Sequence, residues 1–451
     1  MKEGFRSRLG FILVSAGCAV GIGNVWKFPY IAGENGGAIF VLFYLIFLVL
    51  MGVPVLTMEL AIGRATGHTI IKAYQTLERP GHKWHLHGWL CMAGCYILMM
   101  YYTTVAGWMV AYFWYFLTGR FENVTTKGVP DIFNSLMASP VEMTIYTELV
   151  VLVGFIVVSF GVKNGLERVN KTMMIGLLVL IAVLVINSVT LPNASKGLSF
   201  YLMPNWANVE KAGFLKMISA AMNHSFFTLS IGIATMEIFG SYMSKKKAIT
   251  GEAVRIASLD TFVAIMSGLI IFPACFSYGI EPDQGPSLIF ITLPSVFVNM
   301  PGGRVWGTLF FLFMLFASFS TVTAVFENIV GASIDNMGFS RIKSVIFNLV
   351  FLVFASLPCV LGHNLWSNVH LLGGRDILSA EDFVVGNILL PLGAFIFSIF
   401  CSYKFGWGAD KCLDEINTGE GFKMTSKLTW YFKYVLPVLI FVILINGLLP
   451  E

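Results

Sequence analysis

Apolar residues run along this chain in long blocks, separated by short polar stretches rich in Gly, Lys and Asn. A helix needs about 20 mostly apolar residues to cross the hydrocarbon of a bilayer. Eleven blocks meet that demand: roughly 8–33, 37–62, 86–118, 147–162, 169–190, 213–242, 254–279, 303–335, 341–361, 381–405 and 428–449. Two further stretches, 197–212 (GLSFYLMPNWANVEKA) and 284–300 (QGPSLIFITLPSVFVNM), are interrupted by proline and read as helical hairpins in loops between spans. The expected fold is an all-α integral membrane protein, one domain over 1–451.

Two of the blocks are flawed in the same way. The first contains SAGCAVGIGNVWKFPY (15–30), with Gly17, Gly21, Gly23 and Asn24 in the middle of an apolar run. The sixth contains FFTLSIGIATMEIFGSY (226–242), softened at Thr228, Ser230, Gly232 and Thr235. Glycine is common in membrane helices, but matched interruptions five spans apart point to an inverted repeat. The halves would be about 8–190 and 213–405, with an extra helix at about 428–449. Backbone that leaves helical geometry inside a membrane must find other partners. Freed carbonyls suit a hard cation, and the amides of a half-helix suit an anionic group. The breaks are therefore read as sources of ligands.

Composition agrees with lipid as the solvent. The chain is 57% hydrophobic and 12% charged, with a mean hydropathy of +0.78, against about 25% charged in soluble domains. A net charge of +4, dispersed along the chain, offers no nucleic-acid surface. Of the seven cysteines (18, 91, 95, 275, 359, 401 and 412) all but Cys412 lie in apolar stretches, so no disulfide framework is expected. Cys91 and Cys95 share a helix face and read as small core residues. Lys and Arg are nearly three times as frequent in the loops on the N-terminal side of the membrane as on the other, which places the N-terminus in the cytoplasm. His82, His85 and His87 read as a solvated basic loop rather than a metal site. His224 is the one histidine clearly inside a span, without metal-ligand spacing or a nucleophile beside it, so no catalytic residue is assigned and no enzyme is expected.

The stretch SRLGFILVSAGCAVGIGNVWKFPYIAGENGG (7–37) strongly resembles the first span of the neurotransmitter:sodium symporters, in particular their bacterial amino-acid transporters. MGVPVLTMELAIGR (51–64), YYTTVAGW (101–108), FFTLSIG (226–232) and NILLPLGA (387–394) resemble the same family in order. That resemblance implies two sodium sites. One would use the carbonyl of Ala19 with the side chains of Asn24, Thr228 and Asp260. The other would use carbonyls of Gly17, Val20 and Ala317 with the hydroxyls of Ser320 and Thr321. A substrate carboxylate would meet sodium, the N–H of Gly23 and the hydroxyl of Tyr102, and its ammonium the carbonyls of Ala19, Phe227 and Thr228, with Ser230 near. Leu98, Tyr102, Phe227, Ile233, Val322 and Val325, beside Thr321, would line its side chain. An apolar lining favours a neutral hydrophobic L-amino acid, aliphatic or aromatic.

The resemblance further implies an outer gate of Lys27 and Asp382 over Tyr102 and Phe227, and an inner gate of Lys2 and Asp335 near Ser241 and Tyr242. Glu59 would be a structural acid accepting hydrogen bonds from the unwound part of span 6. Ala264 stands where chloride-dependent members carry serine, and Asp260 where Asn is common, so chloride independence is expected, with Asp260 able to take up a proton on the return step. His224, Glu237, Phe5, and Ile175 in place of a helix-opening proline depart from the family pattern. The expected function is sodium-coupled import by alternating access, with two Na⁺ and no chloride, across a bacterial plasma membrane. A non-transporting amino-acid sensor is the alternative. The only partners expected are the amino acid and the bilayer, with no nucleic acid and no obligate protein partner.

Overall fold

The computed structural model describes residues 4–281 and 286–448. Within them every long apolar block is helical, since in hydrocarbon only a helix satisfies its own backbone. The elements are α1 (Arg8–Ala19), α2 (Ile22–Glu34), α3 (Ala38–Thr66), α4 (Ile70–Leu77), α5 (His85–Thr118), α6 (Val129–Ala138) and α7 (Pro140–Ser159). They continue as α8 (Val162–Val189), α9 (Ala194–Leu202), α10 (Trp206–Ala212), α11 (Phe214–Phe227), α12 (Glu237–Ser241) and α13 (Ile249–Ser277). The chain ends through α14 (Leu288–Asn299), α15 (Gly303–Met337), α16 (Arg341–Gly362), α17 (Ile377–Ser402), α18 (Ala409–Ile416) and α19 (Leu428–Leu448).

Nine of these helices are long and apolar enough to cross a membrane, among the described residues. The α1–α2 pair, bent by 64° at its break, is a tenth; the sixth predicted span is split into α11 and the short α12. The fourth span starts at Pro140, earlier than the apolar block at 147, because Ser139 caps it and polar Glu142 and Thr144 occupy its first turns. The first predicted hairpin is present as α9 and α10, parted at Met203–Asn205. The second is only partly so: α14 is one helix, and residues 284–285 lie outside those described.

Prolines are accommodated by a repeated device. Wide π turns at Leu48–Gly52, Leu288–Thr292, Val384–Leu389 and Tyr431–Val435 each end two residues before a proline: Pro54, Pro294, Pro391 and Pro437. A proline ring cannot sit against the carbonyl four residues back and leaves it without a donor; the wide turn makes room. Three of the freed carbonyls accept a tyrosine hydroxyl instead. Tyr431 donates to Leu50 at 2.6 Å, Tyr112 to Phe290 at 2.9 Å and Tyr403 to Lys433 at 2.8 Å. These bonds also tie distant spans together.

Leu42, Val49, Trp114, Ile145, Phe354 and Val438 stand exposed on the span exteriors, the expected lipid-facing girdle. Inside, α5 packs along α15, α12 against α3, and α1 against α8, α13 and α15. All seven cysteines are buried and free. His87 corrects the loop reading: it lies on the first turn of α5, buried, with Nδ1 2.8 Å from the hydroxyl of Tyr74. His85 pairs with Glu78 at 2.6 Å. Among the described residues no group of His, Cys, Asp and Glu is arranged to hold a metal.

Candidate functional site

The first span breaks at Val20 and Gly21, where both residues leave helical geometry. The sixth unwinds over nine residues, 228–236, between α11 and α12. Ser230, Gly232 and Ala234 there adopt positive φ of 51°, 110° and 61°. At Gly232 this matters doubly: a Cβ would collide with the Leu390 carbonyl of α17, so only glycine lets the two backbones touch.

The two breaks meet. Asn24 Nδ2 lies 3.3 Å from Thr228 Oγ1 and donates to Asp260 Oδ1 at 2.8 Å, while its Oδ1 accepts from the Gly21 amide at 3.0 Å. Thr228 donates to Asp260 Oδ2 at 2.6 Å. Asp260 is fully buried on α13, and among the described residues no Lys or Arg pairs with it. A buried carboxylate held by neutral groups alone is electrostatically suited to a cation. Ala19 completes this corner at the C-terminus of α1 and lines the cavity.

A second convergence lies where α15 passes the first break. Ser320 Oγ is 2.8 Å from the Gly17 carbonyl and 2.9 Å from that of Ala317. Thr321 Oγ1 is 3.4 Å from Gly17 O, 3.4 Å from Val20 O and 3.5 Å from Ala317 O. Thr321 Oγ1 also lies 3.3 Å from Cys18 O, so the cluster, the two hydroxyls included, gathers six neutral oxygens, one more than the resemblance named. Such a set fits a weakly held Na⁺ and offers little to a divalent ion, which favours carboxylates.

Between the convergences is a cavity of about 450 Å³. Ala19, Gly23, Leu98, Tyr102, Phe227, Thr228, Ser230, Ile233 and Thr321, all named in the sequence reading, line it. Tyr102 accepts the Ile22 amide at 3.2 Å, and the Phe227 ring lies against Gly23. Val322 and Val325 do not line the cavity. Each residue turns a helix by about 100°, so Val322 leaves the Thr321 face and lies beside Gly154 of α7; Val325 is buried. Nor is the wall apolar throughout: Asn223, Asn387 and Asn446 also border it.

Above the cavity, Lys27 Nζ contacts both oxygens of Asp382, at 2.9 and 3.1 Å, and rests 4.0 Å over the Phe227 ring. Tyr101 adds a bond to Asp382 at 3.1 Å. His224 sits beside this closure against Phe28, Tyr44 and Phe227. At the opposite end, Lys2 lies outside the described residues. Asp335 accepts the Thr69 amide at 2.7 Å and lies 3.6 Å from His68. Ser241 bonds back to Ile238, and Tyr242 donates to Glu327 at 2.8 Å. Phe5 packs against Phe11, Phe239 and Tyr242.

Glu59 accepts the Gly232 amide at 2.5 Å. Glu237 is buried at the start of α12, away from the cavity wall. Helix α8 runs unbroken past Ile175, which is exposed, while Gly176 admits the Phe316 ring. Several site-supporting residues escaped the sequence reading. Arg341 forks onto Glu327 at 2.8 and 2.9 Å. Arg8 and Arg255 share buried Glu252, and Glu167 accepts the backbone of Arg6 and Ser7. The available signal was the carboxylate of Glu327 inside an apolar span.

Residues 2–127 and 126–450 match the sodium:neurotransmitter symporter family. The chain is 33% identical to an uncharacterized sodium-dependent transporter, YhdH, of Bacillus subtilis, over 98% of this chain and 96% of the relative. It is 32% identical to an uncharacterized sodium-dependent transporter of Haemophilus influenzae, over 99% and 98%. Its fold is similar to the crystal structure of MhsT in complex with L-phenylalanine, with a TM-score of 0.88, 33% identity, and 99% of this chain and 100% of that one covered. Matched along almost its whole length and built around two broken spans, this multi-pass membrane protein belongs to the sodium:neurotransmitter symporter family.

Proposed function

We propose that this chain imports a neutral hydrophobic L-amino acid, coupled to two Na⁺ and independent of chloride, across a bacterial plasma membrane with its N-terminus in the cytoplasm. The observation that carries this reading is the junction of the two breaks, where Asn24, Thr228 and Asp260 surround one corner of the cavity. Here the first Na⁺ would be held with the carbonyl of Ala19. The second would take the oxygens of Gly17, Val20, Ala317, Ser320 and Thr321. The substrate carboxylate would join the first ion near Gly23 and Tyr102, so that neither binds well alone. Its side chain would enter among Leu98, Phe227 and Ile233; L-phenylalanine in MhsT supports a hydrophobic ligand.

Asp260 supplies the fixed negative charge beside the cations, and Ala264, buried one turn on, offers no hydroxyl to an anion. That pairing supports chloride independence. Lys27 with Asp382 would close the outer face, and the Asp335, Ser241 and Tyr242 region the inner one, the halves at about 8–190 and 213–405 moving against each other. The driving force suffices: each charge gains about 2.3 kcal/mol per 100 mV and about 1.4 kcal/mol per tenfold gradient. Two ions then yield roughly 7 kcal/mol.

The test is uptake of labelled Leu, Met, Phe, Tyr and Trp into proteoliposomes under an inward Na⁺ gradient. Concentrative uptake of at least one is expected, unchanged when gluconate replaces chloride. Sodium-dependent binding without accumulation would favour a sensor.

A further inference from the structure

The unwound stretch 228–236 is gripped from two sides. From α3, Glu59 takes the Gly232 amide. From the other side come three donors to three successive carbonyls. Cys91 Sγ reaches Gly232 O at 3.7 Å, Cys95 Sγ reaches Ile233 O at 3.2 Å, and Asn328 Nδ2 donates to Ala234 O at 3.0 Å. Asn328 also donates to Cys95 Sγ at 3.4 Å, and Cys91 lies 3.4 Å from His87 Nε2. All three residues are buried. Cys91 and Cys95, four apart, lie on one face of α5, and Asn328 projects from α15 packed along it. The stretch therefore bridges two helix pairs, α5 with α15 and α3 with α12.

We propose that Cys91, Cys95 and Asn328 are positioning residues that latch the 232–234 carbonyls while substrate is bound and release them when the two helix pairs move apart. The inference rests on the transport reading and specifies how its broken span is held. A thiol is a weak hydrogen-bond donor, so two of the three bonds break at little expense. A hydroxyl at the same place would hold longer, and a methyl would not hold at all. The thiols thus set a balance between a firmly formed site and its rapid release.

Uptake kinetics of C95S, C95A and N328A in proteoliposomes, with L-[³H]phenylalanine and L-[³H]leucine as probes, test the latch. For C95S both kcat and KM are expected to fall, kcat by about fivefold, the effect of one modest hydrogen bond. For C95A and N328A a raised KM is expected. Indistinguishable kcat and KM for C95S and C95A would overturn the latch, because only donor strength separates their roles. Hydrogen–deuterium exchange of the peptide spanning 228–236 supplies a readout free of transport. Exchange should quicken in C95A and N328A but not in C95S; equal exchange in all variants would overturn the proposal. Wild-type protein that accumulates none of Leu, Met, Phe, Tyr and Trp would count against the transport reading alone, leaving the exchange result to decide the latch.

Discussion

At the scale of single residues, the site depends on buried neutral groups gathered around the carboxyl of Asp260. Asp260 accepts from both broken spans, through Asn24 and Thr228. Hydrogen bonds to a charged group contribute about 1.5–3 kcal/mol each. Asp260→Asn removes that charge while keeping the shape, so the Na⁺ concentration for half-maximal uptake should rise by about tenfold or more, read from sodium titrations of initial rate. Gly232 is the second sensitive position. A methyl there meets the Leu390 backbone at a φ of 110° that disfavours any side chain. Gly232→Ala should lose about 2 kcal/mol or more, seen as a lower melting temperature of the purified protein. The same substitution at Gly67, in the left-handed helical region at a φ of 66° and with open space around it, should cost less.

At the scale of elements, spans are held by side chains that mend broken backbone. Tyr112→Phe leaves the Phe290 carbonyl without its donor and should destabilise by about 1–3 kcal/mol, read from thermal unfolding in detergent. The Lys27–Asp382 pair is partly solvated, each side chain 31% exposed, so its removal should act on closure more than on stability. Lys27→Ala is expected to raise the substrate KM several-fold with little change in melting temperature. The spans and both breaks were legible because hydropathy and glycine placement are local properties of the chain. The two oxygen clusters proposed to hold Na⁺ could be named only through family resemblance, as their members come from four distant segments. Span 4 began early because a capping serine and polar first turn carry no hydropathy signal. The facing of Val322 was missed because span patterns alone do not settle which side of α15 meets the cavity. The thiol and amide contacts to 232–234 had no sequence signal at all: Cys91 and Cys95 look like any small apolar residues until the carbonyls opposite them are seen to lack helical partners.

At the scale of the molecule, contacts form on both sides of the breaks at once: Lys27 meets Asp382 at the cavity wall, and Phe5 packs on Phe239 and Tyr242 at the far end of the sixth span. Ions and amino acid would then share one cavity, and their affinities must be linked reciprocally. The most direct measurement of that claim is equilibrium binding of L-[³H]phenylalanine and L-[³H]leucine to the purified protein across a range of Na⁺, at constant ionic strength. The account predicts saturable binding of at least one probe, tightening as Na⁺ rises and weakened in Asn24→Ala. Binding that is unchanged when K⁺ replaces Na⁺ would contradict it.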